Sequence, residues 1–162
     1  MSNPLQIAAL DTAAQDRSRF NSGTPALDRY LREQASQDIR RRIAACFVAL
    51  DGECIAGYYT LAAASVPLVG LPDDLRRKLP RYGMVPAFLM GRLAVDEAFK
   101  GRGLGGALLV NALRRAIRSE IPAAVLLVDA KDEQAAAFYR HHGFIALADA
   151  PRTLFLPLDC VR

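Results

Sequence analysis

The sequence predicts an α/β fold that mixes antiparallel and parallel strand pairs, and three observations carry that expectation. Two strand-like apolar runs, 44–50 and 54–65, flank Asp51 and Gly52, a hairpin signal whose turn extends to Glu53. A third strand, 88–95, is followed by an amphipathic helix and then by the continuous apolar run 123–130, the pattern of a right-handed βαβ unit. Between that strand and its helix stands a glycine cluster, Gly101-Arg102-Gly103-Leu104-Gly105-Gly106, reached through the turn 96–100. Strand, glycine turn and helix N-terminus form a device for holding phosphate. The first-turn amides lack partners within the helix, the helix dipole favours an anion, and glycine lets the backbone approach closely. Arg102 adds a charge-assisted bond.

Length and composition set the bounds. A chain of 162 residues predicts a single domain, 1–162, and a hydrophobic fraction of 52% excludes wholesale disorder. No uninterrupted apolar run approaches a membrane span, and MSNPLQIAALD carries no signal-peptide pattern, so no membrane association is expected. Cys46, Cys54 and Cys160 are odd in number and lack metal-ligand spacing. They predict a reduced, cytoplasmic protein with buried thiols and no metal. A net charge of +4 barely favours a polyanionic partner by itself.

In chain order, residues 5–10 read as a first strand, and 11–22 as a polar loop anchored by Phe20. Thr24 is a candidate N-cap with Pro25 at the first helical position, and Leu27, Tyr30, Leu31 and Ala35 give an amphipathic helix over 25–35. Residues 36–42 are polar and end in Arg40-Arg41-Arg42, usually a solvated face. The run 54–65 suits an antiparallel centre strand. Residues 67–86 hold four prolines, two glycines and the cluster Arg76-Arg77-Lys78, with a short helix possible over 73–79; a functional lid and a plain surface excursion both fit. After the glycine cluster, Leu104, Ala107, Leu108, Ala112, Leu113, Ala116 and Ile117 share the apolar helix face, opposite Asn111, Arg114, Arg115 and Arg118. Asp132 is a plausible cap for a helix with Ala135, Phe138, Tyr139 and His142 on one face, closed by Gly143. Strands over 144–147 and 153–158 complete the chain.

Chemical readings of the glycine turn compete. An ATPase P-loop is excluded, because no Gly-Lys-Ser/Thr follows. A dinucleotide site remains a rival: Gly101, Gly103 and Gly106 fit G-x-G-x-x-G, and Asp129 ends the next strand. The five residues 96–100 make its turn long, and too little chain follows for a second half-fold. A glycine turn with no ligand is the bland alternative.

Two motifs add a further reading. Lys100-Gly101-Arg102-Gly103-Leu104-Gly105 resembles the Q/R-x-x-G-x-G/A phosphate loop of the GNAT superfamily of acetyl-CoA-dependent N-acetyltransferases, with Lys100 replacing the usual Gln or Arg. Phe138-Tyr139-Arg140-His141-His142-Gly143-Phe144 resembles that superfamily's F-Y-x-x-x-G-F signature. FNSGTPALDRYLREQA, GYYTLAAASV, RLAVDEAFKGRGLGGALL and VLLVDAKDEQAAAFYRHHGF further resemble the acetyltransferase toxins of bacterial type II toxin–antitoxin modules, from about Phe20 to Leu158.

The resemblance implies a GNAT acyl-CoA N-acyltransferase fold: a mixed, mostly antiparallel sheet splayed by the cofactor and flanked by helices. It implies a homodimer that acetylates the α-amino group of aminoacyl-tRNA and so stops translation. A ribbon-helix-helix antitoxin would neutralise it, and DNA would be met only through that antitoxin. For acetyl-CoA it implies contacts from Leu93, Ala94, Val95, Lys100, Gly101, Arg102, Gly103, Leu104, Gly105, Gly106 and Phe138, with Tyr139 beside the sulphur. Tyr139 is also the natural acid on chemical grounds, since a phenol with a pKa of about 10 is protonated at neutral pH yet donates to a departing thiolate; the competing role for it is core packing. No general base stands out, and His141 and His142 read as ordinary helix-end residues. Arg92 either pairs with Asp96 or Asp129 or, with Arg77 and Lys78, lines a rim that tracks tRNA phosphates. Two other functions stay open: acetylation of a small or protein amine, and a dinucleotide-binding or nucleotide-sensing module.

Overall fold

The fold is that of a computed structural model describing residues 5–160, with side chains through Asp159. Cys160, one of the thiols expected to be buried, therefore lies outside the described side chains. Cα packing divides the chain into two compact units, one of residues up to Ala62 with Arg92–Ala112, the other of Ala63–Gly91 with the residues from Leu113 on. Eight strands are found among the described residues, and of the pairings with a described register only that of Met84–Met90 with Val125–Asp129 is parallel.

β1 (Gln6–Ala9), β2 (Ala45–Asp51) and β3 (Cys54–Pro67) form an antiparallel meander, with β3 belonging to the first unit through Ala62. The hairpin forms as expected: Gly52 takes φ +63°, and Asp51 pairs with Cys54 across a tight turn. On its other side β3 pairs with β5 (Leu93–Val95), so it is a centre strand, buried from Ile55 to Thr60. Strand alternation then splits two tyrosines. Tyr58 joins a core with Phe20, Leu31, Val48 and Ala94, while the Tyr59 hydroxyl donates to Asn111 Oδ1 at 2.5 Å. Asn111 is thus half-buried rather than part of the exposed polar face.

The helix after Pro25 runs further than its apolar spacing indicates. It comprises α1 (Pro25–Arg29), a π-turn (Tyr30–Gln34) and α2 (Ala35–Arg40). Thr24 occupies the N-cap position, but its side chain makes no capping bond. Arg40, Arg41 and Arg42 are all exposed, in keeping with a solvated face. The thiols differ from expectation: Cys46 is buried and Cys54 exposed, because β3 begins at the solvated hairpin end.

The predicted continuous strand 88–95 is interrupted. β4 (Met84–Met90) begins earlier and pairs with β6 (Val125–Asp129) in the second unit, whereas β5 pairs with β3 in the first; Gly91 and Arg92 lie between them. From β5 the chain passes through a 3₁₀ turn (Glu97–Phe99) into α4 (Leu104–Arg118). The buried stripe of α4 is Leu104, Leu108, Leu109, Ala112 and Ala116, whereas Ala107 and Ile117, placed on the apolar face by spacing alone, are exposed.

The second unit orders β4, β6 (Val125–Asp129), β8 (Ala150–Pro157) and β7 (Ile145–Leu147). The segment 67–86 carries only a one-turn helix, α3 (Asp73–Arg76), yet its leucines 68, 71, 75 and 79 pack with Val66, Val85, Val125, Leu127 and Phe155. It is an anchored excursion, not a detached lid. α5 (Glu133–His141) starts where expected, with Asp132 accepting from the Ala135 amide at 2.8 Å, and Gly143 at φ +92° closes it.

Gly57 sets how closely β3, β5 and α4 approach. A Cβ there would lie 2.9 Å from the Ala94 carbonyl oxygen and 2.9 Å from Leu108 Cδ1. Gly57→Ala is therefore expected to destabilise the protein by about 1–3 kcal/mol through overpacking. Denaturant midpoints measure this, and an unchanged midpoint would contradict so close an approach.

Candidate active site

The site is built on the turn that leaves β5. The Asp96 amide donates to the Ala56 carbonyl at 2.8 Å, continuing the β3–β5 ladder by one residue. Asp96 then does two things with its carboxylate. Oδ1 accepts from the Ala98 amide at 2.9 Å, forming the 3₁₀ turn, and Oδ2 accepts from the Asn21 amide at 3.0 Å. The Glu97 amide returns a bond to the Asn21 carbonyl at 2.8 Å, and Lys100 Nζ donates to the Ser22 carbonyl at 2.6 Å. Residues 21–22 thus bracket the whole turn 96–100.

The bracket is fixed from beneath by a buried carboxylate. Asp28 Oδ1 accepts from the Ser22 amide at 2.9 Å and from its hydroxyl at 2.6 Å. Gly23, at φ +86°, continues past this point so closely that a Cβ would collide with the Glu97 carboxylate. These residues lie in FNSGTPALDRYLREQA, a segment that carries the resemblance, yet the sequence assigns them no site role; the available signal is the clustering of Asn21, Ser22, Gly23 and Asp28 around a helix start.

Beyond Lys100 the glycines have distinct tasks. Gly101 and Gly103 take φ +81° and +77°, and a Cβ on either would meet nothing within 4 Å, so backbone conformation rather than crowding within the protein requires glycine. The Ala107 amide is the first to bond into α4, to the Gly103 carbonyl at 3.1 Å. The amides of Leu104, Gly105 and Gly106 therefore have no carbonyl within the helix and mark the positive end of its dipole. Arg102 is exposed, with its guanidinium 5.3 Å from the Phe99 ring centroid. The arrangement can hold an anion on backbone amides. It does not suit a dinucleotide, whose turn is tight: five residues, including a 3₁₀ turn, separate β5 from Gly101, and Asp129 accepts from the Thr153 hydroxyl at 3.1 Å.

The sequence-predicted residues divide between the units. Arg92, Leu93, Ala94, Val95 and Lys100 through Gly106 belong to the first; Phe138, Tyr139, Arg77 and Lys78 belong to the second. Arg92 pairs with neither Asp96 nor Asp129; its guanidinium lies 3.6 Å from the Tyr30 ring centroid. Arg77 and Lys78 are exposed at the end of α3. The Tyr139 ring is buried between Phe138 and Phe144, at 5.4 and 5.7 Å. Burial, with the charge of Asp129 as a second cause, raises its phenol above the usual tyrosine value. Among the described residues the hydroxyl has no hydrogen-bond partner, and no unpartnered side-chain oxygen is fully enclosed, so it opens to solvent. His141 is exposed, and His142 Nδ1 lies 2.9 Å from the Phe138 carbonyl. No group of three or more metal-ligating side chains occurs among the described residues.

Residues 42–146 match the model of the acetyltransferase (GNAT) domain family, a span that contains Arg92, the glycine turn and Tyr139. The chain belongs to the GNAT acetyltransferase family. It is similar to a tRNA-acetylating toxin of Mycobacterium tuberculosis, at 38% identity over 92% of this chain and 90% of that protein. Among solved structures it resembles AtaT complexed with acetyl-methionyl-tRNAfMet, at 28% identity and a TM-score of 0.91 over 97% of this chain and 96% of the other. It also resembles a mutant AtaT toxin bound to the C-terminus of the antitoxin AtaR and to acetyl-CoA, at 26% identity and a TM-score of 0.82 over 98% and 96%. The α/β sheet and helices described above are thus those of a GNAT enzyme, and the bracketed turn leads into the glycine-rich segment of that family.

Asp28 is the element to test, because it holds the GNAT turn without belonging to it. Asp28→Ala leaves the Ser22 hydroxyl and amide without their buried acceptor, a loss of about 1–3 kcal/mol. Amide hydrogen exchange is expected to quicken at residues 21–23 and 96–100. Unchanged protection there, with the same global stability, would show that the turn stands without its bracket.

Proposed function

We propose that this chain is a toxin that transfers the acetyl group of acetyl-CoA to the α-amino group of aminoacyl-tRNA and thereby blocks translation. The similarity that carries the reading is the one to the tRNA-acetylating toxin, 38% identical over 92% of the chain; the likeness to AtaT with acetyl-methionyl-tRNAfMet supports it. In this reading residues 1–162 work as one GNAT domain in a cytoplasmic homodimer. A ribbon-helix-helix antitoxin neutralises it, and its half of the complex makes the DNA contact. No helix among the described residues is long and apolar enough to cross a membrane.

The acetyl-CoA pyrophosphate fits the amides of 103–106, where Gly101 and Gly103 leave open space. Lys100 anchors the turn, so Arg102 is the cation that adds charge. Main-chain groups of Leu93, Ala94 and Val95 orient the pantetheine, with Leu104 and Phe138 as apolar contacts. The amine attacks the thioester carbonyl, the carbon–sulphur bond breaks, and Tyr139 gives its proton to the thiolate while the new ammonium loses one to water. Arg92, Arg77 and Lys78 receive tRNA phosphates.

Incubation of total charged tRNA with protein and acetyl-CoA, followed by mass analysis, should reveal N-acetylated aminoacyl-tRNA. Binding should weaken steeply with salt, because phosphate contacts release counterions. Efficient acetylation of spermidine with no product on charged tRNA would overturn the reading.

Tyr139→Phe retains the ring and should lower turnover roughly 10²–10⁴-fold with acetyl-CoA affinity little changed. The sign of the pH dependence follows from the raised phenol. The acid form persists through neutral and mildly alkaline pH and is lost only above about 10. Turnover should therefore rise as the α-amine loses its proton near ~8 and then hold level to about pH 9.5. A falling limb within that range would assign the acid elsewhere.

A further inference from the structure

We infer that Tyr30 and Asp38 are positioning residues for Arg92, and that Arg92, held by them, receives a phosphodiester of the acceptor. The inference rests on the proposed tRNA acetylation.

The starting point is the π-turn. The Ala35 amide bonds to the Tyr30 carbonyl, five residues back, so this stretch carries one residue more than an α-helical turn. The consequence is angular. In a regular helix, positions eight apart differ by about 80° around the axis; one inserted residue makes them equivalent to positions seven apart, about 20° from eclipsed. Tyr30 and Asp38 are such a pair, and the Tyr30 hydroxyl donates to Asp38 Oδ2 at 2.7 Å. The ring is restrained as well: it lies nearly parallel to Tyr58, at 14° and 6.3 Å, and the Tyr58 hydroxyl is itself tied to the Leu27 carbonyl at 2.6 Å. Tyr30 is therefore a fixed plate.

Arg92 lies on that plate with its guanidinium carbon 3.6 Å from the centroid. Stacking uses the face of the guanidinium and leaves its in-plane donors unspent. Among the described residues those donors have neither a hydrogen-bond acceptor nor a carboxylate at ion-pair distance, although Arg92 is half-buried. Asp38, the nearby acid on this helix, is occupied by the Tyr30 hydroxyl. A planar fork of donors with its face already covered matches the oxygens of a phosphodiester, which it can bind in a bidentate manner. Its place in the chain is also informative, because Arg92 immediately precedes β5 and its carbonyl accepts from the Thr60 amide at 3.1 Å. The backbone that would orient the thioester and the side chain that would receive the acceptor are consecutive residues.

The test is a double-mutant cycle in acetyl transfer to charged tRNA at saturating acetyl-CoA. Arg92→Ala and Tyr30→Leu should each raise KM for charged tRNA by about 3- to 30-fold, the range spanned by a partly desolvated cation–π contact. The double variant should be no worse than Arg92→Ala alone. Affinity for acetyl-CoA should stay unchanged in all of them, and Arg92→Ala should reduce the salt slope by about one phosphate's share. Additive effects, or a Tyr30→Leu variant that loses acetyl-CoA affinity while keeping its KM for tRNA, would overturn the inference. Should Tyr30→Leu not fold, Arg92→Lys decides: it keeps the charge but not the fork, so a KM as high as that of Arg92→Ala is expected, and a wild-type KM overturns. Absence of acetylated tRNA with the wild-type protein is a different failure, which removes the proposed function itself.

Discussion

The contact on which the first unit depends is the one between residues 21–22 and the turn 96–100, more than seventy positions apart in sequence. Without it, the turn leaving β5 would be a surface loop free to choose among conformations, and each backbone position released regains about 1–2 kcal/mol of conformational entropy. The bracket converts that loop into a continuation of the sheet. Two backbone amides, a lysine and an aspartate are satisfied at once, and the direction in which Gly101 enters the helix follows from them. Asp28 deepens the constraint because a carboxylate in the interior demands partners, and Ser22 supplies both amide and hydroxyl.

This arrangement divides the work among cations that look alike in sequence. Lys100 spends its ammonium on the Ser22 carbonyl and the Glu97 carboxylate, and so acts on the turn rather than on a ligand. Arg102, two residues on, is exposed, with Phe99 beside it. Arg92 is presented by an aromatic plate, and Arg140 pairs with Glu133 across α5. Charge alone does not distinguish these roles; the nature of the nearest partner does. A carbonyl makes a structural staple, a ring leaves a guanidinium edge open, and a carboxylate makes a surface pair worth at most about 1 kcal/mol.

What could be read in the sequence follows the range of the forces involved. The Asp51-Gly52 hairpin, the glycine turn, the Asp132 cap and the parallel partner of β4 depend on residues a few positions apart or on a continuous apolar run, and all formed where expected. Local patterning failed where tertiary partners decide. The strand 88–95 breaks because its halves pair with different strands, which no periodicity within it can reveal. The helix after Pro25 extends through polar residues to Arg40 because Asp38 gains the Tyr30 hydroxyl, and the π-turn that permits this has no composition signature. Ile117 reads as core yet is exposed, since the buried stripe of α4 runs through Leu109 instead. At the candidate site the glycine turn before α4 was legible, and the bracket that holds the turn 96–100 was not.

The proton inventory of the site bears on the kind of amine it would serve. Burial first, and the charge of Asp129 second, hold Tyr139 in its acid form. His142 Nδ1 lies 2.9 Å from the Phe138 carbonyl of the same helix, and His141 is exposed. An acid acting without a base would need the acceptor to arrive neutral. A lysine side chain, with a pKa of about 10.4, is almost wholly protonated at neutral pH; an α-amino group, near ~8, is neutral in an appreciable fraction of molecules. That difference of more than two units exceeds a hundredfold in reactive amine, or about 3 kcal/mol that a lysine-directed enzyme would have to recover by desolvating the ammonium or by adding a base. Under the proposed function, that difference favours an α-amine as the acceptor.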